Sequence, residues 1–221
     1  MRRYLTILLF SFSLSSLFAV DLKTEGVDSA YLKTVVGRAQ KIVDQLGLTN
    51  SQQALDVRNI IANRYILLNN IHETYDDAMK KAKELSGDEK KTAQQQAADA
   101  RDAMLYKHHF ELESDLSNYL TSDQIEAVKD GLTYGVVKVT YDAQTDMIPT
   151  LTEEEKTQIM AWLKEAREFA MDAGNSKDKH NWFGKYKGRI NNWLSQRGYD
   201  LTLEREKWYK RIEERKQKEK K

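Results

Sequence analysis

Apolar residues recur along this chain at the three-and-four spacing of amphipathic helices, in blocks separated by glycine and polar turns. Leu32, Val35, Val36, Ala39, Ile42, Val43 and Leu46 form one stripe that stops at Gly47, which predicts a first helix over 28–46. Val57, Ile60, Ile61, Leu68, Ile71, Tyr75, Met79 and Ala82 predict a second, long helix over 49–85. After the break at Ser86-Gly87-Asp88, the positions Ala97, Met104, Leu105, Leu112, Leu116 and Tyr119 predict a third over 88–119. The two long segments and their tight turn read as an antiparallel helical hairpin. A short helix is expected over 121–130, ended by Gly131. From Gly131 to Thr150 the helical period disappears, with Val136, Val137 and Val139 crowded together and Pro149 near the end. That stretch reads as one long irregular loop, a type of segment that often carries function. Further helices are predicted over 153–172 and 177–197, stopped by Gly174 and Gly198. A last, charged one begins near Leu203, where Glu206/Lys210 and Glu214/Lys218 have the favourable order of a solvated helix that frays. The expected fold class is all-α: a single-domain helical bundle over 20–221 with a long hairpin and one long loop. With 1 proline and 10 glycines in 221 residues, a many-stranded fold is disfavoured.

The ends change the picture. Arg2 and Arg3 precede an apolar run from Leu5 to Phe18, and a small residue, Ala19, closes it. This is the pattern of a signal peptide over 1–19, although Leu17 is bulky for its place before the cut. The run is shorter than the roughly 18–20 residues of a spanning helix, so no stable membrane anchor is expected after cleavage. A periplasmic or secreted location follows. There is no cysteine, which excludes disulfide staples and a lipidated cysteine, and leaves stability to the core. Basic and acidic residues nearly balance, 35 against 34, which argues against a nucleic-acid partner.

Three helices open on variants of one phrase: Leu48-Thr49-Asn50-Ser51-Gln52, Leu120-Thr121-Ser122-Asp123-Gln124 and Leu151-Thr152-Glu153-Glu154-Glu155. Each offers Thr as N-cap and Gln or Glu three residues on, a capping box. The phrase also resembles the LTxxQ motif of small periplasmic helical chaperones, a resemblance that implies a cradle for unfolded clients.

Several polar residues fall inside apolar stripes. Arg64 lies between Ile61, Leu68 and Ile71, while Arg101, His108 and Asp115 recur every seven residues beside Leu105 and Leu112. They read either as polar pairs facing each other across the hairpin or as the lining of a polar cavity. His72 with Asp76, and His108-His109 with Glu111 and Glu113, lack the spacing of a known metal motif. No metal, cofactor or catalytic residue is assigned.

The densest chemistry lies between His180 and Leu194. Trp182, Phe183, Tyr186, Ile190, Trp193 and Leu194 share one face, while Gly184 and Gly188 sit opposite, as if something packs closely there. Lys185, Arg189 and Asn192 border Trp182, a combination that suits a sugar or a carboxylate. This segment, with the stretch from Asp130-Gly131-Leu132-Thr133-Tyr134-Gly135 to Tyr141, the phrase Met147-Ile148-Pro149 and the run from Met171-Asp172-Ala173-Gly174, resembles a domain-of-unknown-function family of secreted Bacteroidetes proteins. The resemblance spans about 31–201 and implies export, one domain and genomic company with polysaccharide-degradation genes. No activity comes with it.

Three functions are therefore weighed. The first is an exported, non-enzymatic binding or accessory protein in envelope or extracellular glycan handling, with Tyr134, Tyr141, Trp182, Lys185 and Arg189 as ligand-binding residues between the 131–150 segment and the 177–197 helix. The second is a chaperone-like cradle with a protein partner. The third is an enzyme acting on an acidic polysaccharide, with a tyrosine or histidine base and a cation to neutralise the carboxylate.

Overall fold

The computed structural model describes residues 19–219, so the expected signal segment lies almost wholly outside the described residues. Nine helices and no strand occur among them: α1 (Ser29–Val43), α2 (Ser51–Lys83), α3 (Gly87–His109), α4 (Glu111–Ser117), α5 (Ser122–Leu132), α6 (Val136–Met147), α7 (Glu153–Met171), α8 (Ser176–Gln196) and α9 (Leu201–Glu219). The all-α bundle expected from periodicity is what forms.

The apolar stripes bury as two clusters. The first joins α1, α2, α4 and α5 through residues such as Ala39, Ile42, Val57, Ile61, Leu116 and Val128. The second joins α6, α7 and α8 through Val137, Ile159, Leu163, Phe183, Ile190 and Leu194. Helix α7 serves both, since Met171 at its end belongs to the first cluster while Ile159 to Ala170 face the second. Arg167 of α7, 1 % exposed, donates to Asp130 Oδ1 (2.8 Å) and Glu126 Oε1 (2.7 Å) of α5. Lys129 of α5 reaches Glu113 of α4 (2.8 Å) and Glu168 of α7 (3.2 Å). Charge thus lines the joint between α5 and α7, where the pairing offsets the cost of burial.

The caps explain most starts. Thr121 and Thr152 form complete capping boxes with Gln124 and Glu155. In the first phrase the cap falls one residue later than expected. Asn50, not Thr49, accepts from the amides of Gln52 and Gln53. The Glu155 box is reinforced from afar by Arg197 (2.7 Å) and the Tyr199 hydroxyl (2.7 Å). Burial pushes the Glu155 carboxyl up, but these donors and the Thr152 amide prevail and hold it at about 2.

Three expectations are corrected. The 131–150 segment is not a long irregular loop: twelve of its residues form α6. The β-branched valines lower helix propensity by only tenths of a kcal/mol each, and packing of Val137, Tyr141 and Met147 on the second cluster outweighs that. The turn before α6 takes two left-handed residues, Tyr134 (φ 62°) and Gly135 (φ 65°). The third predicted helix is broken at Phe110 into α3 and α4. There the Arg64 guanidinium donates to the His108 carbonyl (2.6 Å), which the Phe110 amide also reaches. Finally, nothing packs on Gly184 or Gly188, whose face of α8 is open. The close approaches occur instead at Gly131, where a Cβ would meet Ile42 at 2.9 Å, and at Gly174.

The charged helix α9 is clamped to α6. Trp208 Nε1 donates to Asp146 Oδ2 (2.6 Å), Arg211 to the Asp146 and Met147 carbonyls, and Arg215 to both Asp146 carboxylate oxygens. The Arg215 and Trp208 hydrogen bonds pull the Asp146 carboxyl down to about 2. The far half of the α2–α3 hairpin is different. Beyond Ile71 the only buried residue of α2 is Ala82, and the only buried residue of α3 is Ala97. Two small side chains let the helices approach each other there, so the hairpin projects as an arm.

Candidate functional site

Where the arm leaves the body, α2 and α3 face the end of α7 and the start of α8 across an open groove of about 1220 Å³. Its floor is organised by Asp172, the residue that ends α7. One carboxylate oxygen accepts from Arg64 (2.5 Å), whose side chain is 5 % exposed; the other accepts from His109 Nδ1 (2.7 Å). The Asp172 carbonyl meets His72 Nε2 (2.8 Å). The His72 ring in turn lies where a Cβ on Gly174 would fall, 2.7 Å from its Cγ. Glycine at that position is therefore required by the histidine, and the histidine fixes the α7–α8 corner.

The Asp172 hydrogen bond raises the His109 pKa above its ordinary 6.5; burial opposes this and the Glu168 charge adds to it. Glu168 Oε2 lies 3.9 Å from His109 Nε2. His109 therefore sits between two carboxylates, oriented by the nearer one.

The walls are aromatic. Phe169 stacks on Trp182 (4.6 Å between centroids, 17° between planes), and Lys185 Nζ lies 4.9 Å from the Trp182 centroid. Across the groove the Arg101 guanidinium covers Tyr75 at 4.3 Å. Phe169 is 46 % exposed and Tyr106 75 %, so both rings are open to solvent from the groove. Between them stand six carboxylates, Glu73, Asp76, Asp102, Glu168, Asp172 and Asp178, against two permanent cations, Arg101 and Lys185. Asn69, Asn175 and Asn181 add neutral donors and acceptors. Among the described residues no group of three His, Asp or Glu side chains is placed to hold a metal ion.

Of the residues singled out in the sequence, Trp182 and Lys185 line the groove and Arg101 stands opposite them. Arg189 lies further along α8, outside the groove lining, paired with Glu165 (3.3 Å) and over the Trp162 ring (4.5 Å). Tyr141 packs on the second cluster. Tyr134 stacks on His180 (5.7 Å) beside Lys179, whose amine is buried and donates to the Leu132 carbonyl (2.8 Å). Burial brings that amine down to about 8 and raises the nearby Tyr65 hydroxyl to about 12. The five residues thus fall in four places. Phe169, Asp172 and Tyr106 were not singled out as site residues: an exposed aromatic has no distinct periodic signal, and Asp172 acquires its role from partners 63 and 108 residues away.

The fold and the groove together define an all-α bundle with a polar, aromatic-walled cleft at the root of a helical arm. The chain belongs to the family described as "Protein of unknown function (DUF3826)", whose model matches residues 32–214, from the first turn of α1 into α9. No curated protein matches it. No helix among the described residues is long and apolar enough to cross a membrane.

Proposed function

We propose that the protein binds a neutral, hydroxyl-rich glycan in this groove, as an exported accessory protein of envelope or extracellular glycan handling. The observation that carries the reading is the exposed Phe169 ring, stacked on Trp182 within a rim of carboxylates and amides. A ring face packs on sugar C–H groups while carboxylates accept from hydroxyls. Asp172, Glu168 and Asp102 are neutralised by Arg64, Lys129 and Arg101, and the remaining Glu73, Asp76 and Asp178 outnumber Lys185, so the rim stays negative and disfavours an anionic polymer. The polar lining likewise supports a sugar over the unfolded client of a chaperone, which needs a continuous concave apolar patch.

The test is a calorimetric titration of the protein with neutral and uronic oligosaccharides. Neutral sugars are expected to bind. Phe169→Ala should weaken them at least about tenfold, the worth of one buried ring, while Arg189→Ala should change affinity less than about twofold. Preference for uronic sugars, or full affinity in Phe169→Ala, would refute the reading.

One observation favours a second reading. His109, held by Asp172 and raised in pKa, has the geometry of an oriented acid or base. An enzyme of this kind hydrolyses the bound glycan, and reducing ends would appear with wild type and not with His109→Gln. Binding without release of reducing ends leaves the accessory role.

A further inference from the structure

Before α1 the chain runs extended along α2, and a polar stripe on that helix grips its backbone. Asp56 Oδ1 accepts from the Val20 amide (2.9 Å), Asn59 donates to the Val20 carbonyl (2.7 Å), and Asn63 binds both the Asp21 carbonyl (2.9 Å) and the Lys23 amide (2.8 Å). The Val20 and Leu22 side chains pack against the first cluster. Ala19 is exposed. Among the described residues the grip on the backbone therefore begins at Val20.

Asp56 is the odd member. It is 2 % exposed, and the two donors to its Oδ1, the Val20 amide and Gln52 Nε2 (3.0 Å), are both neutral. A buried carboxylate calls for a counter-charge. The nitrogen it faces is the one that becomes an α-ammonium if the chain is cut between Ala19 and Val20. The basic pair Arg2-Arg3, the apolar run and the small residue Ala19 place a leader-peptidase cut at that bond.

We propose that the Ala19–Val20 bond is the processing site and that the new Val20 ammonium seats on Asp56 as a buried ion pair. In the cut, water adds across the peptide bond. The C–N bond breaks, hydroxyl goes to the Ala19 carbonyl and the other hydrogen of water to the Val20 nitrogen, and the new Ala19 carboxyl ionises, giving the Val20 amine the proton that makes it an ammonium. The uncut chain offers Asp56 an amide; the cut chain offers it a charge at the same place. Processing and final folding are thereby linked, because a start one residue earlier puts the ammonium in solvent. A start one residue later removes the gripped Val20 altogether. This inference stands apart from the glycan reading.

The first measurement is the intact mass and N-terminal sequence of the product exported from bacteria expressing the full chain. Val20 is expected; an uncut chain or any other start overturns the proposal. The second compares urea unfolding of chains that begin at Val20 and at Ala19, each with Asp56 and with Asp56→Asn. An extra Ala19 keeps the amide hydrogen bond and removes only the charge. The folding equilibrium constant should fall about tenfold or more with Asp56, the margin of a charged over a neutral hydrogen bond, and less than about threefold with Asn. An equal loss in both backgrounds refutes the ion pair. If Asp56→Asn does not fold, the comparison in the natural background decides, and a loss below about threefold refutes it.

Discussion

Replacing Asp172 with Asn removes one charge from the floor of the groove and leaves one acceptor oxygen where two served Arg64 and His109. The Arg64 guanidinium is then left 5 % exposed without a counter-ion. Its Nε has no partner already, and its one other hydrogen bond goes to the neutral His108 carbonyl. Breaking a buried pair from one side costs about 3–5 kcal/mol. Asn can still accept from Arg64, which recovers about 1 kcal/mol, so a net loss of about 2–4 kcal/mol is expected. Against a total of about 5–15 kcal/mol this is a large fraction. With a urea slope of about 2 kcal/mol per molar, the unfolding midpoint should drop by about 1–2 M at unchanged slope. Trp162, Trp182 and Trp193, all packed on the second cluster, supply the fluorescence signal. The cycle is closed with Arg64→Met and the double variant, which should be less damaged than the two single losses predict by about 1–2 kcal/mol. A loss under about 0.5 kcal/mol in Asp172→Asn, or strict additivity, would mean that Arg64 is satisfied by something other than Asp172.

Three further outcomes follow from the same geometry. Gly174→Ala should cost about 1–3 kcal/mol by displacing the His72 ring from the Asp172 carbonyl, and most of that cost should vanish in a His72→Ala background; a cost that persists there places the strain elsewhere. The raised His109 pKa makes its stabilising contribution full below about pH 6.5 and lost as pH rises through the folded value. The stability gap between wild type and His109→Gln should therefore be wider at pH 5.5 than at pH 8.5, and an NMR midpoint at or below 6.5 would contradict the Asp172 hydrogen bond. At Tyr134, where φ is 62°, Gly and Ala both delete the ring, so their difference isolates the backbone. The Gly variant should be the more stable by about 1 kcal/mol in thermal unfolding, and parity would remove the strain.

Much of the bundle is legible in its sequence because burial repeats at helical spacing. The stripes at Val35–Val43, Val57–Ile71, Ile159–Ala170 and Phe183–Leu194 become buried faces as they stand. What escapes is whatever depends on a partner distant in the chain. Val136, Val137 and Val139 read locally as non-helical, and α6 forms as Val136 and Val137 pack on the second cluster while Val139 stays exposed. The break at Phe110 has no local signal, and the contact found there comes from Arg64, 44 residues away from the carbonyl it meets. The glycines of α8 were assigned a close neighbour that the fold does not provide. The site is half legible for the same reason. Trp182 and Lys185 stand out by residue type, whereas Asp172 and Phe169 become notable only once α3 is laid against α7.

The arm formed by α2 and α3 carries a consequence of leverage. From Ile71 to Lys83 it runs about 18 Å past the last large buried side chain of α2, and neither apolar cluster constrains its far end. The groove lies at its root, with Tyr75 and Arg101 on the arm and Trp182 on the body. A rocking of about 5° at the base swings the tip at Leu85 through about 2 Å over that length. The arm is thus a gauge needle for its own cleft: a dye at Leu85, remote from the groove lining, would amplify any tilt of the arm at its root.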